Sequence, residues 1–349
     1  MEIRDCESPI SYYDLQMTNR FLNLLETAKQ HNQPIMVDGG MGTMLMAAGL
    51  LFGDPPETWN VLPDKQAKVR GVYRGYLDAG SQIILTNTFG GSPFRLKMHN
   101  LQDRVFELNK AGAELARLEA GENVVAGDIG PSGELFEPMG KLTYEAAVEG
   151  FARQAEGLAA GGADVFWIET MSDLMEVRAA VEGARKAAPH LPVAATMTFD
   201  TRGFTMMGVS PSDAIAALTE LNLAAIGGNC GNGPDELEAV IFAMHHDMPD
   251  VPLIAKSNAG MPVYMNGQTT YQAAPDTMAD CARRMRAFGA TIIGGCCGSN
   301  PAHIVAMREA LFALPPLDPA TLELTVPVAR KQAPSADRRE RRARRETVA

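Results

Sequence analysis

The segment ATIIGGCCG, Ala290–Gly298, contains the pattern that decides the predicted fold. It starts as an apolar run without a polar face, typical of a strand buried in a parallel sheet, and it ends in a glycine-rich turn with two adjacent cysteines. Seven earlier apolar runs change in the same way to Gly, Asn, Thr, Cys or an acid towards their ends. In chain order they are Ile35–Gly40, Gln82–Phe89, Asn123–Gly130, Asp164–Thr170, Val193–Phe199, Ala225–Cys230 and Pro252–Asn258.

These runs recur roughly every 35 residues, which is the spacing of a strand with its following helix and loops. Segments of helical periodicity lie between them, and several follow helix start signals: Thr143, Ser172-Asp173 and Pro211-Ser212-Asp213. We therefore predict one (β/α)8 TIM barrel in a single domain over residues 21–325. A doubly wound open sheet is the competing fold. Polar residues gather where the strands end, which is where barrel active sites are built.

The two ends of the chain are predicted to lie outside this repeat. Residues 1–20 form an N-terminal lead-in, followed by a helix over Phe21–Gln30 that caps the bottom of the barrel. Residues 326–349 carry eight basic and three acidic side chains, a charge of +5, so the rest of the chain carries −16 of the total of −11. With RRERRARR at Arg338–Arg345 and no apolar stripe, we expect a disordered tail or a solvated helix. Contact with an acidic surface or RNA is the alternative.

The composition restricts the class of protein. The chain has 349 residues, 46% of them hydrophobic, which is enough for a large core. Its acidic balance makes nucleic acid an unlikely partner for the barrel. The first 17 residues lack the pattern of a secretory signal, and no apolar run is long enough for a membrane span, so we expect a cytoplasmic protein. A homo-oligomer is compatible with this sequence.

Three of the five cysteines end neighbouring strands of the predicted barrel. Cys230 ends the sixth run, and Cys296 and Cys297 end the eighth. Three thiolates with a fourth position open are a catalytic arrangement for zinc, and soft thiolates favour Zn²⁺ over magnesium or calcium. The alternatives are a reactive vicinal pair or small core residues. We interpret Cys6 and Cys281 as incidental.

Such a zinc site suits a substrate thiol as its fourth ligand. A free thiol with a pKa near 8.5 is only a few per cent ionised at about pH 7, and a coordinating metal removes its proton. Coordination also fixes the direction of the sulfur. The natural reaction is attack by this sulfur on an alkyl group.

Other polar groups at strand ends are candidates for binding the rest of the substrate. Glu169 could bind a substrate ammonium group, or it could orient a neighbouring group by a hydrogen bond. Asp38, Gly39 and Gly40 close the first run, and their backbone amides could hold a carboxylate. Thr88 and Asn258 provide uncharged hydrogen-bonding groups, for which a purely structural role is the alternative.

Two aromatic residues are candidates for holding a cationic methyl donor. Trp59 lies in the long loop Gly49–Pro63, and Phe89 lies at the end of the second run. A cation over an aromatic face gains about 2 kcal/mol when it is desolvated. Packing in the core is the alternative role for both rings.

Taken together, the motifs resemble those of the homocysteine S-methyltransferases, a family that includes the homocysteine-binding module of cobalamin-dependent methionine synthase and the betaine–homocysteine S-methyltransferases. The resemblance covers roughly residues 20–315. The matching segments are VDGGMGTM (Val37–Met44), TNTF (Thr86–Phe89), IET (Ile168–Thr170), NCG (Asn229–Gly231), SNAGMP (Ser257–Pro262) and GGCCG (Gly294–Gly298).

The resemblance implies a (β/α)8 barrel with Zn²⁺ on Cys230, Cys296 and Cys297 and with the homocysteine sulfur in the fourth position. It implies that Glu169 and the Asp38–Gly40 turn hold the amino acid end. No general base is needed, because the metal removes the thiol proton and a cationic donor leaves as a neutral molecule.

For the donor, the resemblance is greatest to bacterial enzymes assigned to glycine betaine, so betaine is predicted first. S-methylmethionine or another sulfonium comes next, followed by a methyl group from a partner corrinoid protein. Gly90 and Thr170 stand where animal betaine enzymes have tyrosines. A non-enzyme alternative is a zinc-stabilised binding module that acts through its basic tail.

Overall fold

The computed structural model describes residues 19–265 and 268–329, and the structural statements below refer to these residues. It contains ten strands: β1 (Ile35–Met36), β2 (Ile83–Leu85), β3 (Val124–Ile129), β4 (Val165–Met171), β5 (Val193–Met197), β6 (Ala225–Cys230), β7 (Leu253–Ser257), β8 (Val263–Met265), β9 (Gln268–Thr270) and β10 (Ala290–Gly295). Each of the eight predicted runs contains one strand. The runs at β1 and β2 were predicted too long, because their polar ends form turns instead.

Eleven helices accompany these strands in the described ranges. They are α1 (Arg20–His31), α2 (Met41–Ala47), α3 (Pro63–Asp78), α4 (Pro93–Lys97), α5 (Val105–Ala120), α6 (Tyr144–Ala160), α7 (Leu174–Ala187), α8 (Pro211–Thr219), α9 (Pro234–Asp247), α10 (Pro275–Ala287) and α11 (Pro301–Ala313). Thr143 and Asp173 cap α6 and α7 as predicted. The cap of α8 is Ser210, which exchanges hydrogen bonds with Asp213 in a capping box.

Eight parallel strands form a barrel in the order β1-β10-β7-β6-β5-β4-β3-β2. A parallel bridge between Val37 and Ile83 joins the two outer strands of this order. The Asp38 amide donates to the Ile83 carbonyl at 3.1 Å, and the Gln82 amide donates to the Met36 carbonyl at 2.8 Å. The (β/α)8 prediction is therefore confirmed, and the open sheet is wrong. The antiparallel strands β8 and β9 belong to the loop between β7 and α10.

The lower interior of the barrel is apolar and is covered by α1. Phe21 from this helix packs edge-on against Trp167 of β4, with 6.4 Å between the ring centroids. Both side chains are fully buried, in a cluster with Val37, Ile254 and Ile292. The interior changes above Trp167, where the strand ends carry charged side chains. Among the described residues, no helix combines the length and the apolar character needed to cross a membrane.

The chain after α11 returns along the outside of the barrel. Arg284 of α10 donates to the Glu323 carbonyl at 2.7 Å, and Leu322 and Leu324 pack against the main core. At the end of the described chain, Ala329 lies against Gly203, in the loop that follows β5. The last described residue thus lies at the carboxyl end of the barrel. Most of the predicted lead-in and of the basic tail, residues 1–18 and 330–349, lies outside the described residues, so both domain boundaries stay predictions.

Candidate functional site: three thiols above a buried charged layer

Three cysteine side chains converge at the carboxyl end of the barrel. Cys230 ends β6, and Cys296 and Cys297 directly follow β10. The Cys230 sulfur lies 2.7 Å from the Cys296 sulfur and 3.9 Å from the Cys297 sulfur. All three sulfur atoms lie within 4.8 Å of one another, in the arrangement of a possible metal-binding group. The predicted cysteine triad is thus brought together in the fold.

The two turns that carry the thiols are held in place by a sharp bend of the backbone after β6 and by the hydrogen bonds of one asparagine. Cys230 has a φ of 57° and Gly231 a φ of 72°, so the chain turns sharply at the end of β6. The Asn258 side chain donates to the Gly231 carbonyl at 2.8 Å and accepts from the Cys297 amide at 3.1 Å. Asn258 therefore fixes the position of the Cys230 turn relative to the Cys296–Cys297 turn. Its predicted contact with substrate stays a prediction.

Hydrogen bonding within the triad favours negative charge on one sulfur. The Cys230 and Cys296 thiols lower the pKa of Cys297 to about 3, with a further contribution from the nearby Tyr271 phenol. Sharing these hydrogen bonds with Cys296 and Cys297 raises the pKa of Cys230 well above its usual range. A group of three thiols that already stabilises a thiolate is chemically suited to a cation.

A buried layer of charged side chains lies at the strand ends inside the barrel. The Lys256 ammonium of β7 lies 3.2 Å from Asp38 Oδ1 and 3.5 Å from Glu169 Oε2. Asp38 also accepts from the Leu85 amide at 2.7 Å. Asp128 of β3 is buried in the same layer, and its Oδ1 has no hydrogen-bond donor in the described structure, as is also true of Glu169 Oε2.

Burial decides the ionisation of these groups. It raises the pKa of Glu169 to about 7, although the nearby Lys256 charge acts in the opposite direction. Burial also raises the pKa of Asp128 well above its usual range, with the Glu169 charge as the next cause. Burial alone would lower the pKa of Lys256, but the charges of Glu169 and Asp38 more than offset this and raise it. The layer therefore contains a permanent cation and carboxyl groups that compete for it.

The first predicted turn lies directly against the cysteine turn. The Tyr76 hydroxyl donates to the Ser299 carbonyl at 3.0 Å and approaches the Gly40 carbonyl at 3.3 Å. A Cβ at Gly40 would lie 2.7 Å from the Cys296 carbonyl oxygen, so this position requires a glycine. The Gly40 amide donates to the Ser299 carbonyl at 3.4 Å. Binding of a substrate carboxylate by the Gly39 and Gly40 amides stays a prediction.

The remaining predicted residues are engaged in contacts of their own. The Thr88 hydroxyl donates to the Asp128 carbonyl at 2.8 Å and so links β2 to β3. Trp59 is 5% exposed, and the ammonium groups of Lys65 and Lys68 lie 5.4 and 5.2 Å from its ring centroid. The half-buried Phe89 has its ring beside Gly130. The Trp59–Phe89 donor pocket stays a prediction.

Sequence reasoning did not single out Asp128, Lys256 or Tyr271. Asp128 and Lys256 each interrupt an apolar run, in VVAGDI and PLIAKSN, and an ionisable residue in a buried strand is a usable signal of function. Tyr271 follows β9 in the long loop after β7, and no local pattern marks it. Its proximity to Cys297 arises from the path of that loop.

Comparisons with known proteins agree with this geometry. The family model described as homocysteine S-methyltransferase matches residues 35–311. Methionine synthase of Mycobacterium tuberculosis is 34% identical over 297 residues, which cover 80% of this chain and 25% of that protein. Methionine synthase of Mycobacterium leprae is 33% identical, over a match that covers 83% of this chain and 25% of that protein. This chain thus spans about a quarter of the length of these relatives.

A solved structure shows the same fold. The metallated form of the homocysteine methyltransferase MmuM from Escherichia coli superposes with a TM-score of 0.68 at 25% identity, covering 83% of this chain and 99% of that one. The matched range includes Asp38, Glu169 and all three clustered cysteines. The chain therefore belongs to the homocysteine S-methyltransferase family.

Proposed function

We propose that this protein transfers a methyl group to the sulfur of homocysteine and so forms methionine. The observation that carries this proposal is the convergence of Cys230, Cys296 and Cys297 at the carboxyl end of the barrel, beside a layer of buried carboxyl groups. The family membership supports the same acceptor. In this proposal the metal held by the thiols binds the substrate sulfur, and the carboxyl groups bind the amino acid end of the substrate.

The donor set fits Zn²⁺. Three sulfur ligands from two strand ends leave one position open, in contrast to the four protein ligands of structural zinc sites. Zinc bound there would supply a Lewis acid that ionises the substrate thiol near neutral pH. Asn258 holds the two cysteine turns in register for this, through its bonds to Gly231 and Cys297.

The amino acid end of homocysteine fits the charged layer. Glu169 Oε2 and Asp128 Oδ1 are buried acceptors that lack a donor, and an ammonium group supplies up to three donors. Leaving such atoms unpaired costs about 1–3 kcal/mol each, so a substrate that pairs them gains affinity. We assign the substrate ammonium to these two carboxyl groups. We assign the substrate carboxylate to the Asp38–Gly40 turn at the Gly39 amide, because the Asp38 and Gly40 amides already donate to the Ile83 and Ser299 carbonyls.

The transfer itself requires little acid–base chemistry from the chain. The substrate sulfur forms a bond to the methyl carbon as the bond from that carbon to the donor nitrogen or sulfur breaks. The electron pair of the broken bond remains on the leaving group, which departs neutral. The protein's contribution is to hold the sulfur and the methyl carbon in line and to exclude water.

For the donor we propose glycine betaine first, on the resemblance of the sequence motifs, with S-methylmethionine or another sulfonium next. Both need a cation pocket, for which Trp59 and Phe89 are the predicted rings. The Trp59 ring already faces Lys65 and Lys68, which weakens its attraction for another cation.

A second candidate donor, a methyl group carried by a partner corrinoid protein, is favoured by the apolar rim of the barrel. Exposed apolar side chains stand on the loops after β1, β3, β5 and β7, and Phe52 and Tyr264 are 96% and 76% exposed. The rim comprises Leu51, Phe52, Leu135, Met139, Met206, Met261 and Tyr264. Several exposed apolar side chains on the loops at one end of a barrel are compatible with a protein contact.

The test is methionine formation from homocysteine with betaine, S-methylmethionine and a methylated corrinoid protein as alternative donors. The expected variant result is that Cys297→Ala loses zinc and reduces turnover by at least about 100-fold, since a ligand is removed. Cys281→Ala is the matched control, because Cys281 is buried in α10 outside the triad. Activity that survives in Cys297→Ala would remove the zinc proposal. Zinc binding without transfer from any donor would favour the binding-module alternative.

A further inference from the structure

Lys256 is the one basic residue in the eight barrel strands of the described structure. It belongs to β7, two residues after the interior residue Ile254, and its side chain is 2% exposed. Interior positions of such barrels are ordinarily filled by branched apolar side chains. Burying a charged lysine at this depth costs free energy unless the charge is paired, so a lysine here suggests a functional role.

The surroundings of Lys256 contain three carboxyl groups from three other strands. Asp38 of the β1 end and Glu169 of β4 lie 3.2 and 3.5 Å from the ammonium nitrogen, and Asp128 of β3 adds a further charge. Cys296 after β10 also interacts electrostatically with Lys256, and the Trp167 ring centroid lies 5.8 Å from the ammonium nitrogen. One cation thus lies among several buried acidic groups.

The pairing is uneven between the carboxyl groups. Asp38 has both oxygens engaged, one by the Leu85 amide and one by Lys256. Glu169 receives only the longer contact from Lys256, and its Oε2 lacks a hydrogen-bond donor. Lys256 therefore satisfies Asp38 and leaves Glu169 incompletely paired.

We propose that Lys256 is a positioning residue for the acceptor substrate: it neutralises Asp38, holds the Glu169 carboxylate in place, and so leaves one negative charge to bind the substrate ammonium group. This inference rests on the proposed function. Without Lys256, Asp38 and Glu169 would repel each other in a low dielectric, and one of them would take up a proton. A protonated Glu169 no longer forms an ion pair with an ammonium group.

Lys256 takes part in recognition of the substrate amino group, whereas the cysteines act on the substrate sulfur. Lys256 should therefore affect the affinity for homocysteine and the KM much more than kcat. It should also matter less for 4-mercaptobutanoate, which is homocysteine without the amino group. A purely structural lysine would affect both ligands alike.

The experiment measures calorimetric binding of homocysteine and of 4-mercaptobutanoate to zinc-loaded protein, with zinc content and turnover measured in parallel. Lys256→Met is expected to weaken homocysteine binding ~10- to 100-fold, as expected for loss of a charged contact, and to change 4-mercaptobutanoate binding less than about 3-fold. Lys256→Arg, which keeps the charge, should recover most of the homocysteine affinity. Lys186→Met is the control, because Lys186 forms only an exposed ion pair with Glu149.

Two results would overturn the inference: unchanged homocysteine binding in Lys256→Met, or an equal loss for both ligands. If Lys256→Met does not fold, the double variant Lys256→Met with Asp38→Asn removes the buried pair together. This variant also removes the repulsion between Asp38 and Glu169, so its preference for homocysteine over 4-mercaptobutanoate should return to within about 10-fold of the wild-type value. Complete loss of that preference in the double variant would contradict the inference. Failure of the wild-type protein to bind homocysteine would instead remove the proposed function, so the two failures are distinguishable.

Discussion

Among single residues, the site depends on the pH at which the buried Glu169 carboxyl group ionises. Glu169 is 7% exposed, and burial raises its pKa to about 7. A carboxyl group with this pKa is protonated below about pH 7 and ionised above it. Only the ionised form pairs with an ammonium group. The affinity of the site for an amino acid substrate should therefore depend on pH in the physiological range.

We expect homocysteine binding to weaken by about tenfold for each pH unit below 7, beyond the effect of thiol ionisation. Binding of 4-mercaptobutanoate supplies the correction, because it shares the thiol and lacks the amino group. Calorimetric titrations between about pH 5.5 and pH 8 check this difference. In Glu169→Gln the extra dependence should disappear. Parallel pH curves for the two ligands in the wild-type protein would show that Glu169 does not bind the amino group.

The residues predicted from the sequence stand in recognisable local patterns, whereas the role of those that were missed depends on contacts between distant segments. Cys230, Cys296 and Cys297 stand in glycine-rich strand ends, so the barrel pattern alone predicts that they meet. Asp128 and Lys256 lie in apolar runs, and their importance appears only when four strands place them in one layer. Trp59 was selected as an aromatic residue in a loop. Its neighbours Lys65 and Lys68 come from the first turns of α3, and the loop pattern does not predict their position over the ring.

At the scale of elements, the site depends on close approach between the turns after β1 and β10. Gly40 lies against the Cys296 backbone, where a Cβ would come within 2.7 Å of a carbonyl oxygen and 2.5 Å of Thr43 Oγ1. A carbonyl held in a β-strand turn cannot move aside without shifting the cysteines. The position of Cys296 is therefore coupled to the size of residue 40.

We expect Gly40→Ala to destabilise the protein by about 1–3 kcal/mol, as overpacking does, and to lower its zinc affinity. Gly42→Ala is the matched control, since no atom lies within 4 Å of a Cβ there, in the first turn of α2. This control should be neutral or stabilising by up to about 1 kcal/mol, because alanine favours a helix. Denaturant unfolding and competition with a zinc chelator provide the measurements. Equal behaviour of both variants would show that the turns do not constrain the cysteines.

At the scale of the whole molecule, the barrel topology was predictable from the spacing of eight apolar runs, whereas the path of the C-terminal segment was not. Residues 314–329 contain no periodic pattern, and tertiary contacts fix them: Arg283 bonds to the Pro315 carbonyl and Arg284 to the Glu323 carbonyl. This path brings Ala329 to the loop after β5. The described chain thus ends at the end of the barrel where the thiols lie.

We expect truncation after Pro327 to leave turnover intact, because a solvated tail contributes no contact to the site. Truncation after Asp318 is the comparison, since it also removes Leu322 and Leu324, which pack against the core, and the bond to Arg284. That shorter chain should lose stability in thermal unfolding. Loss of activity or of assembly on truncation after Pro327 would refute the interpretation of a solvated tail.

Zinc X-ray absorption of the purified protein, with and without homocysteine, counts the sulfur ligands of the bound metal directly. In our proposal, Cys230, Cys296 and Cys297 hold a zinc ion whose open position takes the substrate sulfur. We expect about three sulfur neighbours at about 2.3 Å without homocysteine and about four with it. Cys281→Ala should give the same change. A sulfur count that stays the same when homocysteine binds would contradict the account.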